Sequence, residues 1–234
     1  MDNCCVDIAD NIKRVRDEIA EAAVLSGRAP GEIALVAASK TRPTEFIRQA
    51  ISAGVDAVGE NRVQEMLVKL GQGAYTGAPL HFIGHLQSNK VRSVVGLCDL
   101  IESAGSATLI ESIGKRAFSM GIVQKVLIEI NIGREPQKSG ILPEQLWDIL
   151  DFVSQADGIS VLGLMAIPPI NEGNDKNCNY FDAMFQLFVD MSKKTYDNVS
   201  VQFLSMGMSD SYAAAIKAGA NMVRIGSAIF GNRK

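Results

Sequence analysis

The sequence has few of the features that tie a protein to a particular partner or compartment. Its four cysteines, Cys4, Cys5, Cys98 and Cys178, form no CxxC pair and no zinc-like spacing. That excludes a thiolate zinc module and leaves reduced thiols in a cytoplasm as the simplest account. No apolar run approaches ~20 residues, so no helix is expected to span a bilayer. The start, Met1 to Asp7, has no basic region followed by an apolar one, so no secretory signal is expected. A formal net charge of −3 gives no reason to expect nucleic acid or an anionic membrane as partner. There is no low-complexity segment. What is present is 234 residues at 47% hydrophobic content, enough for one well-filled domain over residues 1–234.

A helix–strand rhythm runs through the chain. Val6 to Ser26 reads as an amphipathic helix with Ile8, Ile12, Val15, Ile19 and Ala22/Ala23 on one stripe, ended by Gly27. Ala34 to Ala38 is a continuous apolar run, suited to a strand buried on both faces. Thr41 to Pro43 should stop it, with Thr44 capping a helix over Glu45 to Ala53. Further strands are expected at 57–61, 80–85, 100–103, 125–132, 161–167, 201–205 and 222–229. Helices are expected at 62–70, 89–95, 107–120, 142–155, 180–196 and 210–217, with a polar loop over Asn171 to Asn177. Eight strands alternating with helices argue for an α/β fold, a (β/α)8 TIM barrel; an open doubly wound sheet is the competing topology. No helix is expected after the eighth strand, and the N-terminal helix would fill that gap.

In such a barrel the chemistry lies just past the strand ends. Lys40 ends the first apolar run. Held partly out of water, its amine would lose some preference for the charged form and could attack an aldehyde. On this stretch alone, a lysine reaching along its stem for solvent is the simpler reading. Ser205 to Asp210 and Arg224 to Ser227 end the last two strands and are rich in glycine and serine, a composition that can cradle a phosphate. Each such turn alone can equally be a change of chain direction. An amine beside a phosphate cradle suggests a phosphorylated aldehyde.

Other candidates divide the same way. On one strand, His81 and His85 would lie about 13 Å apart and could not share a metal; His85 could line the mouth, with His81 structural. Glu60 and Asp210 are candidate acids, yet carboxylates at helix starts commonly favour the dipole. Asn61 could be an N-cap and Met165 core filling. The basic run Ser88-Asn89-Lys90-Val91-Arg92 reads as a solvated helix start.

Taken together, Ala38-Ser39-Lys40-Thr41, Gly59-Glu60-Asn61, the stretch from His81 to Lys90, Gly163 to Pro168, Met206 to Asp210 and Val223 to Gly231 resemble the pyridoxal phosphate (PLP) homeostasis proteins. Order and spacing match from about Ile33 onward. That family resembles the barrel domain of alanine racemase, the fold type III arrangement. The resemblance implies that Lys40 carries PLP as an internal aldimine and that Ser209, Gly226 and Ser227 hold its phosphate. Arg224 would face the pyridine nitrogen and keep it unprotonated, and Asn61, Met165 and His85 would lie around the cofactor. Lys138 matches a recurring family lysine near the mouth. Ser211 departs from the pattern, standing where a second aspartate often follows Asp210, and Cys4-Cys5 is not a family mark.

The function so implied is binding, buffering and delivery of PLP in vitamin B6 homeostasis. It involves no metal and no catalytic residue, with apo PLP-dependent enzymes as possible recipients and a cytoplasmic monomer as the working state. An amino acid racemase or related enzyme is the alternative, and a barrel for another phosphorylated metabolite a third. Racemases need a base on each face of the substrate α-carbon. In alanine racemases the second is a tyrosine from a separate domain. Here the sequence stops at Lys234 and offers Tyr75, Tyr180, Tyr196 and Tyr212, of which Tyr75 would have to move inward from a loop.

Overall fold

The computed structural model describes residues 7–169 and 173–231. Helix α1 (Ile8–Leu25) comes first. Six βα units follow: β1 (Ala34–Ala38) with α2 (Thr44–Ser52), β2 (Ala57–Glu60) with α3 (Val63–Gly71), β3 (Leu80–Phe82) with a 3-10 helix (Ser88–Ser93), β4 (Leu100–Ala104) with α4 (Ala107–Ser119), β5 (Gln124–Ile130) with α5 (Leu146–Ser154), and β6 (Ile159–Ala166) with α6 (Gly173–Ser192). The chain closes with β7 (Val199–Ser205), α7 (Tyr212–Lys217), β8 (Met222–Ile225) and α8 (Ser227–Phe230). All strands are parallel and the sheet closes by pairing β1 with β8, with Val36 opposite Arg224 and Ala37 opposite Ile225. This is a (β/α)8 barrel.

Strand periodicity divides the core in two. Leu35, Ala37, Val58, Phe82 and Ile101 point outward into the layer shared with the helices. Val36, Ala57, Leu100, Leu127, Met165 and Met222 fill the barrel interior. With both faces buried, β1 reads as an unbroken apolar run. The stripe on α1 is buried as its spacing requires, and fully covering each of its large aliphatic side chains stabilises the fold by about 1.5–3 kcal/mol. The helix packs between α2 and the α7–α8 pair, and Asn11 Nδ2 donates to the Ile229 carbonyl at 2.9 Å. Gly163 takes φ +141° where β6 shifts register against β7; a Cβ there would lie 1.9 Å from the Phe203 carbonyl oxygen.

Several boundaries differ from the sequence reading. Strand β3 stops at Phe82, so His85 is a loop residue and the extended-strand distance from His81 does not apply. Strand β8 stops at Ile225, and a four-residue helix follows it; four residues carry too little periodicity to be read from sequence. Thr44 is the first residue of α2 and makes no cap, since Pro43 already supplies the extended entry. Asn61 is not a cap either, because Arg62 precedes α3. Helix α6 starts at Gly173, inside the stretch expected to be a polar loop, whose first two residues lie outside the described residues. Cys4 and Cys5 lie outside them as well. Cys98 is a free, buried thiol whose burial pushes its pKa up to about 12.

Candidate functional site at the carboxyl end of the barrel

The end of β1 is stapled from behind. Ser39 alternates outward, where its hydroxyl donates to Glu60 Oε1 at 2.7 Å, while Lys40 alternates toward the mouth. Glu60 is fully buried between barrel and helices, so it is a wall residue and not a candidate acid at the mouth. Lys69, on α3, bridges Glu60 and Glu65 at 2.7 Å each and donates to the Ser39 carbonyl at 3.0 Å. Arg42 N closes the turn onto the same carbonyl at 3.0 Å. Between them Thr41 takes φ +63°, a conformation a β-branched residue rarely adopts, and its amide donates to Glu65. Tyr75 donates to Glu60 at 3.1 Å, and burial first, then the Glu60 charge, drives its pKa far up. It belongs to this wall, so the inward swing considered from sequence has no support.

Opposite Lys40, the turns after β7 and β8 converge. The amides of Gly226 and Ala228 both donate to Ser209 Oγ at 3.3 Å. Ser211 holds the turn beneath them by accepting the Met208 amide at 3.2 Å, a structural role needing no second aspartate. Lys40, Arg42, Ser209, Arg224, Gly226 and Ser227 all line one hollow of about 380 Å³. Asp210 lines it too, from an exposed turn.

Arg224 forms part of the floor. The residue is 4% exposed; its guanidinium donates to Ser205 Oγ and, at 2.9 Å, to the Ala166 carbonyl, and lies 3.7 Å from Glu102. Burial lowers its pKa, against the opposing fields of Glu102 and Glu129. Its carboxylate partner is therefore a strand residue inside the barrel and not a loop residue. Glu102 also receives Ser205 Oγ at 2.6 Å and meets His81 Nδ1 at 2.7 Å. Burial by itself would raise the Glu102 pKa; the His81 contact, Arg224 and Ser205 outweigh it and bring it down. His81 is thus a member of the interior network.

Asn61 and His85 sit in a second hollow of about 310 Å³, beside Glu129, Lys138 and Ser139. His85 Nδ1 is 2.7 Å from Ser139 Oγ, and Lys138 pairs with Glu135. Gly84 lets the chain pass close to Asn61: a Cβ there would fall 2.2 Å from the Asn61 carbonyl oxygen. Met165 has no exposed surface and lines neither hollow.

Glu129 escaped the sequence reading, although an acid within Leu127-Ile128-Glu129-Ile130 was a visible signal. Its Oε2 is buried with no hydrogen-bond partner, and burial raises its pKa to about 7 despite the field of Arg224. A carboxyl with a raised folded pKa is neutral in both states at low pH, and its ionisation costs stability between the unfolded value and about 7. Glu129→Gln is therefore expected to raise stability at pH 8, by at most about 3 kcal/mol at 1.36 kcal/mol per pKa unit. The gain should vanish below pH ~4, and thermal melts at both pH values check it. Equal melting temperatures at pH 8 would count against the strained carboxylate.

The family "Alanine racemase, N-terminal domain" matches residues 7–234. A "Pyridoxal phosphate homeostasis protein" of Aquifex aeolicus is 40% identical over 229 residues, covering 98% of this chain and 100% of its own. The chain belongs to the pyridoxal phosphate homeostasis protein family. Among solved structures, PipY of Synechococcus elongatus with PLP bound superposes with a TM-score of 0.79 at 31% identity, covering 91% of this chain and all of that one. An alanine racemase of Clostridium difficile in complex with cycloserine reaches 0.71 at 16% identity, covering 96% of this chain and 60% of that one, a likeness of fold.

The hollow beside Lys40 fits PLP on its own chemistry. It offers a primary amine for an aldehyde, amide and hydroxyl groups at Ser209, Gly226 and Ser227 for a phosphate, and the cations of Arg42 and Arg224 for its charge. Asn61, whose Oδ1 is buried without a partner, lines the second hollow.

Proposed function

We propose that this chain binds pyridoxal 5′-phosphate at the mouth of the barrel and buffers or delivers it, without robust catalytic turnover. The observation that carries the reading is the single hollow shared by Lys40 and the two turns joined at Ser209 and Gly226. When bound, PLP supplies an aldehyde that condenses with a primary amine and a phosphate that anchors it. Lys40 would provide the amine; Ser209, Gly226 and Ser227 would hold the phosphate; Arg224, fixed by Glu102, Ser205 and Ala166, would face the pyridine nitrogen. Asn61 and His85 line the second hollow, from which they would approach the cofactor. Met165 belongs to the packed interior and acts by filling it.

The racemase alternative finds no tyrosine placed as the second base among the described residues. Tyr75 is bound to Glu60 in the wall, Tyr212 to Glu18 on α1, and none of the four tyrosines lines either hollow. Among the described residues no helix is long and apolar enough to cross a membrane, and no cluster of histidine, cysteine or acidic side chains could hold a metal. Finer parts of the proposal are a cytoplasmic monomer and apo PLP-dependent enzymes as recipients. Purified protein should gain a visible absorption band on addition of one equivalent of PLP. Incubated with L- or D-alanine, it should then show neither chirality change nor α-proton exchange at enzymatic rates. Turnover of about 1–10³ per second would overturn the carrier reading.

A further inference from the structure

The basic run Ser88–Arg92 has a counterpart in α4. The 3-10 helix that contains it packs against α4. Between them lies a cleft of about 430 Å³ lined by Ser88, Arg92, Ser112, Lys115, Arg116 and Ser119, none of which lines a hollow at the mouth. The α4 residues recur at spacings of three and four and so share one face of the helix.

Three cations meet in this cleft. Lys115 is paired with Glu111. Arg92 and Arg116 have no side-chain hydrogen bond or ion pair among the described residues, and Arg116 Nε is buried without a partner. A buried donor left unsatisfied is unfavourable, more so when charged. An oxyanion in the cleft would neutralise the guanidinium charges of Arg92 and Arg116, and guanidinium forks match phosphate geometry. The hydroxyls add selectivity. Ser112 donates to the Thr108 carbonyl at 2.8 Å and Ser119 to the Arg116 carbonyl at 2.7 Å, leaving both oxygens as acceptors for ligand hydroxyls. The volume lies within the range of small-molecule sites, about 300–1,000 Å³. With a net charge of −3, a long polyanion would be repelled by the rest of the surface.

We propose that this cleft is a second, independent site that binds a small hydroxyl-bearing phosphate monoester through Arg92 and Arg116. The proposal does not depend on what occupies the mouth.

Titration calorimetry of the full chain carrying PLP, with glycerol phosphate and inorganic phosphate as probes, tests it. Saturable one-to-one binding at millimolar or lower concentration is expected. Arg92→Gln and Arg116→Gln should each weaken it at least tenfold, about 1.4 kcal/mol, with the absorption band of bound PLP unchanged. Arg92 is exposed, so its variant keeps the test open if Arg116→Gln fails to fold. Absence of saturation at millimolar probe, or unaltered affinity in Arg92→Gln, would overturn the proposal. If the chain took up no PLP at all, the arginine dependence of the phosphate titration would still decide this question separately.

Discussion

Replacing Lys40 by alanine should remove all covalently held PLP while leaving the fold intact. Among the residues lining its hollow, Lys40 carries the primary amine, and the Ser209–Gly226 turn faces it. A phosphate held at that turn presents the rest of the molecule to one amine, and well-oriented groups reach effective molarities of about 10⁵–10⁸ M. Among the described residues no other lysine shares that lining. Borohydride reduction followed by peptide mapping should therefore place the pyridoxyl group on Lys40 in the parent and nowhere stoichiometrically in Lys40→Ala. The variant should retain weak, phosphate-competable PLP binding through Ser209, Gly226 and the arginines. Its melting without PLP should remain a single cooperative transition, because Lys40 is only partly buried and lies outside the hydrophobic core. Recovery of the pyridoxyl group on Lys138 or another lysine of the parent would refute the assignment.

The largest effect on stability is expected from Lys69→Met. Glu60 is fully buried and Lys69 nearly so, and the pair is bridged at 2.7 Å. Glu60 Oε2 already has no partner, so the carboxylate depends on the bonds to its other oxygen from Lys69, Ser39 and Tyr75. Removing one member of a buried ion pair costs about 3–5 kcal/mol because the other charge stays behind. At roughly 2–4 °C per kcal/mol for a chain of this size, melting without PLP should fall by roughly 6–20 °C. The same substitution removes a donor from the Ser39 carbonyl and frees Glu65 from one of its partners, beside the strained Thr41. PLP affinity should fall with stability. Adding Glu60→Gln to Lys69→Met should recover most of the loss, since the stranded charge is then gone. A melting temperature within 2 °C of the parent's would show that the pair is not a staple.

Much of this was legible in the residues and some was not. Lys40 at the end of Leu35-Val36-Ala37-Ala38 could be placed because a run apolar on both faces signals a central parallel strand without help from neighbours. Glu60 was misplaced because a strand's parity, which face each residue takes, follows from pairing and not from composition. The same ignorance hid Glu102 and Glu129, polar residues in apolar strands, and left the structural His81 without its Glu102 partner. Asn61 and His85 were expected around the cofactor, but nothing local showed that they border a second hollow beside Lys138. Arg224 could be assigned to the site, yet its Glu102 partner lies far away in sequence.

By itself the sequence determined the succession of eight strands, the buried stripe of α1, and the residue types at the strand ends. Each of these follows from periodicities of two or 3.6 residues and from turn chemistry, which act over a few neighbours. Only the tertiary structure decided that Lys40 faces Ser209, Gly226 and Arg224. That meeting requires β1 to pair with β8 in one register, with Val36 beside Arg224 and Ala37 beside Ile225. A slip of one residue would turn every side chain of β1 to the opposite face and carry Lys40 out of the hollow. The register is held by closure of the whole barrel, through contacts between residues at the two ends of the chain, which no local pattern encodes.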